Sequence, residues 1–275
     1  MGATGVIPDP GKVRFWQARA QAYDRLCRRW EIFSLLSSRL IDLLPTGLQG
    51  PVLDIGAGSG LTSQLLLARR PHCQAILIEP SQAMLDIARV TLVGRPAQFF
   101  VMGLDEAPAR GLHAVAALAS ASMQFLDLEP AFAVLARVIA PGGHVALNLW
   151  WHHWEDTADR EGMSGWLPVA QAACREAQLP PPPVPPSPAK VKTRKEMMSA
   201  CRQHGFQLLS EHRDEDLTPV GIGVDFQAMG TDWPVEGLGH VERLALLQRM
   251  HEIAQGQFET VASTQFLFQK NMEDR

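Results

Sequence analysis

The stretch Val52-Leu53-Asp54-Ile55-Gly56-Ala57-Gly58-Ser59-Gly60 decides the fold of this chain. A short, mostly apolar run leads into three glycines at alternate positions, and a helical pattern from Leu61 to Arg69 follows at once. Glycine lets the backbone turn tightly and approach a ligand closely, and the unpaired N–H groups at the start of a helix suit an anionic group. The stretch therefore predicts a strand, a ligand-binding loop and a helix.

The same alternation of apolar runs and helical patterns continues along the chain. Because the runs are apolar throughout and do not alternate with polar residues, they are typical of parallel strands covered on both faces, which predicts an α/β fold. Further on, the sequence predicts a proline-rich connector, a helix, a strand that ends at Arg213, then a loop, a helix from Val241 and a last strand. The early runs are Pro51–Ile55, Ala75–Glu79, Ala97–Met102, His113–Ala119 and His144–Trp150.

Composition argues against several classes of protein. The 275 residues carry a formal net charge of −4, whereas nucleic-acid-binding proteins usually present a basic face, so we expect no nucleic-acid partner. The four cysteines are scattered without metal-ligand spacing, which predicts reduced thiols and no metal site. We find no secretory signal and no apolar run of the roughly 18–20 residues that span a membrane. We therefore expect a cytoplasmic protein, monomeric or homodimeric, without a membrane partner, that acts on a small molecule.

Glu79 adds a second recognition element to the loop. It ends the second apolar run, where a carboxylate can accept hydrogen bonds from both hydroxyls of a ribose. A dinucleotide-binding loop has the pattern G-x-G-x-x-G, but here Leu61 stands at the position of the third glycine. A pyrophosphate would also lie poorly against Asp54, whereas a ligand with an ammonium and a sulfonium is attracted by a carboxylate. The loop therefore favours S-adenosylmethionine, and a nicotinamide-dependent oxidoreductase stays open as an alternative.

These residues resemble class I S-adenosylmethionine-dependent methyltransferases. Residues 52–60 are similar to the first motif of that family, and Ile78-Glu79-Pro80-Ser81 with Met84-Leu85 is similar to its second-strand acidic region. FVMGLDEAP (100–108), ASASMQFL (119–126) and ARVIAPGGHVAL (136–147) resemble the segments that follow in the family. The resemblance implies a doubly wound, Rossmann-like, seven-stranded and mostly parallel sheet whose last strand lies antiparallel beside the fifth. It also implies an N-terminal helical lid and a cap inserted after strands 5 and 6.

The resemblance implies cofactor contacts at three parts of S-adenosylmethionine. The glycine-rich loop would cradle the methionine part, Asp54 would help to position it, and Glu79 would hold the ribose hydroxyls. Tyr23 resembles a lid residue that closes over the methionine part. The loop contacts are Gly56, Ala57, Gly58 and Gly60.

The adenine contact is less determined. The family usually has an acid directly after the glycine of the third-strand segment, but this chain has Leu104 there. Either of the next two residues, Asp105 or Glu106, would then meet the adenine amine. The remaining implied cofactor contacts are Pro80, Met84, Ser120 and Gln124.

Substrate recognition is expected outside the sheet core, in the N-terminal helices and in residues 150–188 and 216–257. Tryptophan and histidine are concentrated there, which suits an apolar or aromatic methyl acceptor. His152 or His153 would act as a general base if the acceptor must lose a proton. The candidate substrate contacts are Trp150, Trp151, Trp166 and Trp233.

We therefore expect a methyltransferase that acts on an O, N or C nucleophile of a small molecule. A carboxyl O-methyltransferase acting on a carrier-bound acid is an alternative, since Met123-Gln124-Phe125 and the tail from Gly205 to Asn271 also resemble that type. A further alternative is a protein of the same fold that uses the cofactor for chemistry other than methyl transfer. The expected segments are a helical lid (1–45), a cofactor-binding core (46–150), a cap insertion with a proline-rich loop (151–192) and the remainder of the sheet with a second cap segment (193–275).

Overall fold

The chain forms one seven-stranded sheet with helices on both faces. A computed structural model describes residues 9–150, 165–182, 192–229 and 234–272. The strands in these ranges are β1 Gly50–Ile55, β2 Cys73–Ile78, β3 Ala97–Phe100, β4 Ala114–Ala119, β5 Ile139–Trp150, β6 Phe206–Pro219 and β7 Phe258–Lys270. The helices are α1 Pro10–Arg29, α2 Glu31–Leu43, α3 Leu61–Arg69, α4 Gln82–Thr91, α5 Leu128–Val138, α6 Trp166–Glu176, α7 Arg194–Gln203, α8 Gly221–Ala228 and α9 His240–Ala254.

The topology of the sheet brings the carboxyl ends of its central strands together. The strand order is β3-β2-β1-β4-β5-β7-β6. β1 to β5 are parallel, whereas β7 lies antiparallel between β5 and β6, so the expected seven-stranded, mostly parallel sheet is confirmed. The strand order reverses between β1 and β4, and ligands of such sheets bind outside the carboxyl ends of the strands at that point.

Apolar layers cover both faces of the sheet. On one face α2, α3 and α4 pack on β1, β2 and β4, and on the other face α5 and α7 pack on the same strands and on β7. The helices α6, α8 and α9 form a separate layer around Trp166 and Leu246. α8 also reaches α1 and α2 through Ile222, next to the carboxyl end of β5. Within the described ranges, no helix combines the length and the apolar composition that crossing a membrane requires.

The carboxyl-terminal half differs from the sequence expectation in two places. β6 continues beyond Arg213 to Pro219, and α8 follows where a loop was expected. The acidic residues after Arg213 made this part of β6 look like a loop. A strand tolerates them here because β6 lies at the edge of the sheet and Arg39 of α2 pairs with Asp214 at 3.4 Å and with Asp216 at 2.6 Å. Glycine is a poor helix former, yet Gly223 lies in α8 because a Cβ there would come within 2.9 Å of the Trp166 side chain.

Candidate functional site

The glycine-rich loop after β1 has a backbone that only glycine adopts easily. Gly56 and Gly60 have φ of +63° and +87°, in the left-handed region. A Cβ on Gly56 would lie 2.7 Å from the Cβ of Ser122, and a Cβ on Gly60 would lie 3.0 Å from the Cβ of Ala88 on α4. The loop therefore packs closely against the end of β4 on one side and against α4 on the other.

The carboxylate of Glu79 is hydrogen-bonded to the glycine-rich loop. Its Oε2 accepts a hydrogen bond from the Gly58 N–H at 3.1 Å, and its Oε1 accepts one from the Ser81 N–H at 2.9 Å. The side chain is buried, and burial raises the pKa of Glu79 although both N–H groups act in the opposite direction. A buried carboxylate therefore stands at the carboxyl end of β2, beside the loop.

Asp54 is hydrogen-bonded to the helix that follows the loop. Its Oδ2 accepts a hydrogen bond from the Ser63 hydroxyl at 2.6 Å, in the first turn of α3. Burial raises the pKa of Asp54 to about 6, while the hydrogen bonds from Ser63 lower it. Asp54 is not among the described residues that line the neighbouring cleft, so its observed role is to hold the loop against α3.

A cleft lies in front of the loop, between the sheet edge and the N-terminal helices. The space enclosed there is about 40 Å³, whereas small-molecule pockets usually hold about 300–1,000 Å³. Tyr23 of α1 covers the loop, with its ring 3.6 Å from the Cβ position of Gly58, and burial raises the pKa of Tyr23 well above its usual value. Aromatic, hydroxyl and glycine residues make up most of the described lining, among them Phe33, Ser37, Gly56, Thr62, Ser120 and Trp150.

α1 also contacts α4 on the far side of Glu79. Gln17 Oε1 accepts hydrogen bonds from the Ser81 hydroxyl at 3.0 Å and from the Ala83 N–H at 3.1 Å. These contacts occupy polar groups at the start of α4, close to the buried Met84. Together with Tyr23 they hold α1 across the opening of the cleft.

The structure distinguishes the two acids that follow β3. They lie in a short 3₁₀ turn, Leu104–Glu106, whose first residue is buried. Glu106 Oε1 accepts a hydrogen bond from the Gly103 N–H at 3.3 Å and so caps this turn. Asp105 Oδ1 is buried and has no hydrogen-bond partner in the ranges that the structure describes, and burial raises the pKa of Asp105. Of the two acids, Asp105 is therefore the one with a buried oxygen that lacks a described partner.

Several polar groups meet at the segment after β4, and one of them was not among the residues predicted from the sequence. Ala121 has a left-handed φ of +52°, and its N–H donates a hydrogen bond to Asn148 Oδ1 at 2.7 Å. Gln124 Nε2 donates to the Ala121 carbonyl at 2.6 Å. The Ser120 hydroxyl lies 3.3 Å from the hydroxyl of Ser37 on α2. Asn148 was the missed residue, and its signal was a single amide inside the apolar run that forms β5.

The remaining sequence candidates fall in different places. Trp150 lines the cleft and lies against Phe33, with a ring-centroid distance of 5.5 Å. Trp166 begins α6 and packs in the core of the α6–α8–α9 layer, and the described cleft lining does not include it. Across the described ranges, no group of three or more potential metal ligands is found. The candidates outside the described residues are Trp151, His152, His153 and Trp233.

Sequence comparison supports the resemblance over the region that contains the glycine-rich loop and the strands β1 to β4. Residues 52–143 match a family model described as a methyltransferase domain, which confirms the resemblance for that part of the chain. Over 101 residues the chain is 39% identical to trans-aconitate 2-methyltransferase from Acidovorax sp. (strain JS42). This match covers 36% of the chain and only 37% of that relative.

Solved structures share the fold over most of the chain. Geranyl diphosphate C-methyltransferase from Streptomyces coelicolor, crystallised with S-adenosyl-L-homocysteine, has a TM-score of 0.51 at 12% identity, covering 86% of this chain and 79% of that one. A cyclopropane synthase from Mycobacterium tuberculosis has a TM-score of 0.51 at 14% identity, covering 85% and 82% of the two chains. At these identities the similarity establishes the Rossmann-like fold and nothing further.

Proposed function

We propose that this chain, whose residues 52–143 form a class I S-adenosylmethionine-dependent methyltransferase domain, transfers a methyl group from S-adenosylmethionine to a small molecule. The observation that carries this proposal is Glu79, a buried carboxylate at the end of β2 that is bonded to the Gly58 N–H of the loop after β1, next to the point where the strand order reverses. A ribose hydroxyl needs an acceptor of this kind at this place.

The residues of the cleft fit the chemistry of the cofactor. A carboxylate has about four lone-pair positions, so Glu79 can accept ribose hydroxyls in addition to its two backbone N–H groups. Asp105 Oδ1 is available for the adenine amine. The cofactor carries a positive sulfonium, which the negative charges of Glu79 and Asp54 favour. We therefore assign the ribose to Glu79 and the adenine to Asp105, and we assign Asp54 an indirect role through the loop.

The protein contributes to this reaction mainly by positioning the cofactor and the methyl acceptor. The cofactor supplies a methyl group that its sulfonium already activates. A lone pair of the acceptor forms the new bond to the methyl carbon, the carbon–sulfur bond breaks, and its electron pair stays on sulfur. Holding the two reactants about 3–3.5 Å apart and aligned supplies much of the rate enhancement. Tyr23, Phe33 and Trp150 would enclose an apolar or aromatic acceptor, and His152 or His153 stays a candidate base for an acceptor that loses a proton.

A carboxyl O-methyltransferase is the second candidate. The observation in its favour is the 39% identity over 101 residues to an enzyme whose name specifies trans-aconitate, an acid. That match spans little more than a third of the relative. The buried acids Asp54 and Glu79 oppose a further negative charge close to them, so we rank a neutral acceptor first.

Two binding titrations and one product assay test the proposal. Calorimetry should show S-adenosylhomocysteine binding to the wild-type chain and a much weaker affinity in Glu79→Ala, while a fluorescence titration with NADH should show no binding. Cell extract incubated with the protein and S-adenosylmethionine should contain a compound heavier by one methylene group. Binding of NADH without S-adenosylhomocysteine would support the oxidoreductase alternative and contradict the proposal.

A further inference from the structure

Three buried polar atoms surround Ala121 without a partner. Ser122 Oγ, Gln124 Oε1 and Asn148 Nδ2 make no hydrogen bond within the part of the chain that the structure describes, although each of these residues is more than nine-tenths buried. A buried polar atom left unpaired costs about 1–3 kcal/mol. Because native structures pair almost all such atoms, three unpaired ones around a single residue indicate a place where a ligand supplies the missing partners.

The backbone of Ala121 fixes the orientation of two of these side chains, Gln124 and Asn148, which we call the amide pair. The Ala121 N–H is bonded to the oxygen of Asn148, and the Ala121 carbonyl is bonded to the nitrogen of Gln124. Rotating the Asn148 amide by half a turn would place its NH2 group against the Ala121 N–H, so that two donors would meet. Rotating the Gln124 amide would place its oxygen against the Ala121 carbonyl, so that two acceptors would meet. The amide pair therefore presents one donor, Asn148 Nδ2, and one acceptor, Gln124 Oε1.

The three side chains lie behind the β4–β5 side of the cleft, next to described lining residues but not among them. Ala121 lines the cleft, and Ser122 packs against Gly56, since a Cβ on Gly56 would come within 2.7 Å of it. Asn148 precedes Trp150 by two residues on β5, so both side chains leave the same face of the sheet, and Trp150 lines the cleft. Glu79, which we assign to the cofactor ribose, stands at the end of β2, on the other side of β1.

We propose that Ser122, Gln124 and Asn148 bind the polar group of the methyl acceptor, and that this group is neutral and both donates and accepts a hydrogen bond, as a hydroxyl or a primary amide does. Gln124 is thereby assigned to the acceptor, whereas the family resemblance implied a cofactor contact. The proposal rests on the proposed function and names its substrate class. A carboxylate offers acceptors only, so it would meet Gln124 Oε1 with no proton between the two oxygens. A hydrocarbon would leave all three polar atoms unpaired, and sites built to form hydrogen bonds bind ligands without matching groups much more weakly.

Three ring compounds that differ only in their polar group test the preference. Fluorine NMR would measure the binding of para-fluorophenol, para-fluorobenzamide and para-fluorobenzoate to the full chain, first alone and then saturated with S-adenosylhomocysteine. The phenol and the benzamide should bind at least about tenfold more tightly than the benzoate, since each can fill both positions of the amide pair. Binding that persists in the saturated protein separates an acceptor site from a site for the methionine end of the cofactor.

Two variants and a matched control test the residues. Ser122→Ala removes only an unpaired hydroxyl, and Asn148→Asp keeps the oxygen that accepts from the Ala121 N–H while it removes the free donor. Each should weaken binding of the phenol and the benzamide about five- to tenfold. Thr264→Val is the control, because Thr264 Oγ1 is also buried without a described partner but pairs with Leu149, on the opposite face of the sheet from Asn148. Its binding of all three compounds should equal that of the wild type.

Four results would overturn the inference: preference for the benzoate, absence of binding by both neutral compounds, loss of their binding in the protein saturated with S-adenosylhomocysteine, or equal effects of Ser122→Ala and Thr264→Val. Calorimetry with S-adenosylhomocysteine keeps the two proposals separate. If the chain binds S-adenosylhomocysteine and the ring compounds behave in one of these ways, only the acceptor assignment fails. If it does not bind S-adenosylhomocysteine, the proposed function itself fails.

Discussion

The replacement Glu79→Gln tests the residue on which the cofactor assignment depends. It keeps the shape of the side chain but exchanges one carboxylate oxygen for an NH2 group, which must then face the N–H of Gly58 or of Ser81. One buried N–H left unpaired costs about 1–3 kcal/mol, and part of this is recovered because the variant no longer buries a charge. We therefore expect the free energy of unfolding to fall by about 2 kcal/mol or less.

The effect of Glu79→Gln on cofactor affinity should be larger than its effect on stability. A hydrogen bond to a charged group contributes about 1.5–3 kcal/mol, and every 1.4 kcal/mol is a tenfold change in affinity. The Kd of S-adenosylhomocysteine should thus rise about tenfold to a hundredfold in calorimetry at neutral pH. Glu129→Gln on α5 is the control, because Glu129 is exposed and its partners within the described ranges are the side chains of Gln203 in α7 and of His204, which caps α7. A folded Glu79→Gln variant that binds within twofold of the wild type would show that Glu79 merely holds the loop.

Three further replacements separate the roles of neighbouring residues. Asp105→Leu should raise the Kd of S-adenosylhomocysteine about tenfold or more by calorimetry, whereas Glu106→Gln should leave it within about threefold, and the reverse order would exchange the two assignments. Gly56→Ala should lower the free energy of unfolding in urea by about 2–4 kcal/mol, from left-handed strain and overpacking against Ser122, and a loss below about 1 kcal/mol would contradict this packing. The pKa of Asp54 is raised from 3.8 to about 6, so the native state holds this proton more tightly than the unfolded state, and stability falls as pH rises through that window. Asp54→Asn should remove about 2 kcal/mol of this decline, relative to the wild type, between urea unfolding at pH 4 and at pH 6, and identical pH profiles would refute the shift.

Most strands of the sheet could be predicted from the sequence, because the central strands are apolar throughout. The helix α3 begins and ends at the predicted residues, and β1, β2 and β4 lie within two residues of their predicted bounds at each end. The edge of the sheet could not be predicted as well. β6 is half exposed and carries a run of charged residues, so its pattern resembles that of a loop. α8 contains two glycines, of which Gly221 lies against the Trp30 ring and Gly223 against the Trp166 ring, contacts that the sequence does not reveal.

The candidate site was predictable wherever a contact depends on the backbone of one short segment. The positions of Glu79 and of the glycines follow from the β1–loop–α3 pattern, and the structure brings them together. The choice between Asp105 and Glu106 could not be made from the sequence, since it depends on which carboxylate caps the 3₁₀ turn. Asn148 also escaped prediction, because its partner Ala121 lies 27 residues away and meets it only through the pairing of β4 with β5.

The position of α1 links this arrangement to the binding of the proposed cofactor. About 40 Å³ of enclosed space is too little for a nucleoside, so α1 must leave the loop before the cofactor can bind. Its attachments differ at the two ends: Tyr23 and Gln17 hold it over the loop and α4, whereas the Trp30 indole N–H, at the junction with α2, donates to Asp225 of α8 at 2.7 Å. Opening the first set uncovers at least the rings of Tyr23 and Trp16, the latter of which also contacts Phe125. It also releases two hydrogen bonds, for a cost of several kcal/mol, while the junction stays anchored. Because the cofactor would bind only to the open state, its apparent affinity should be lowered by the fraction of molecules that are open.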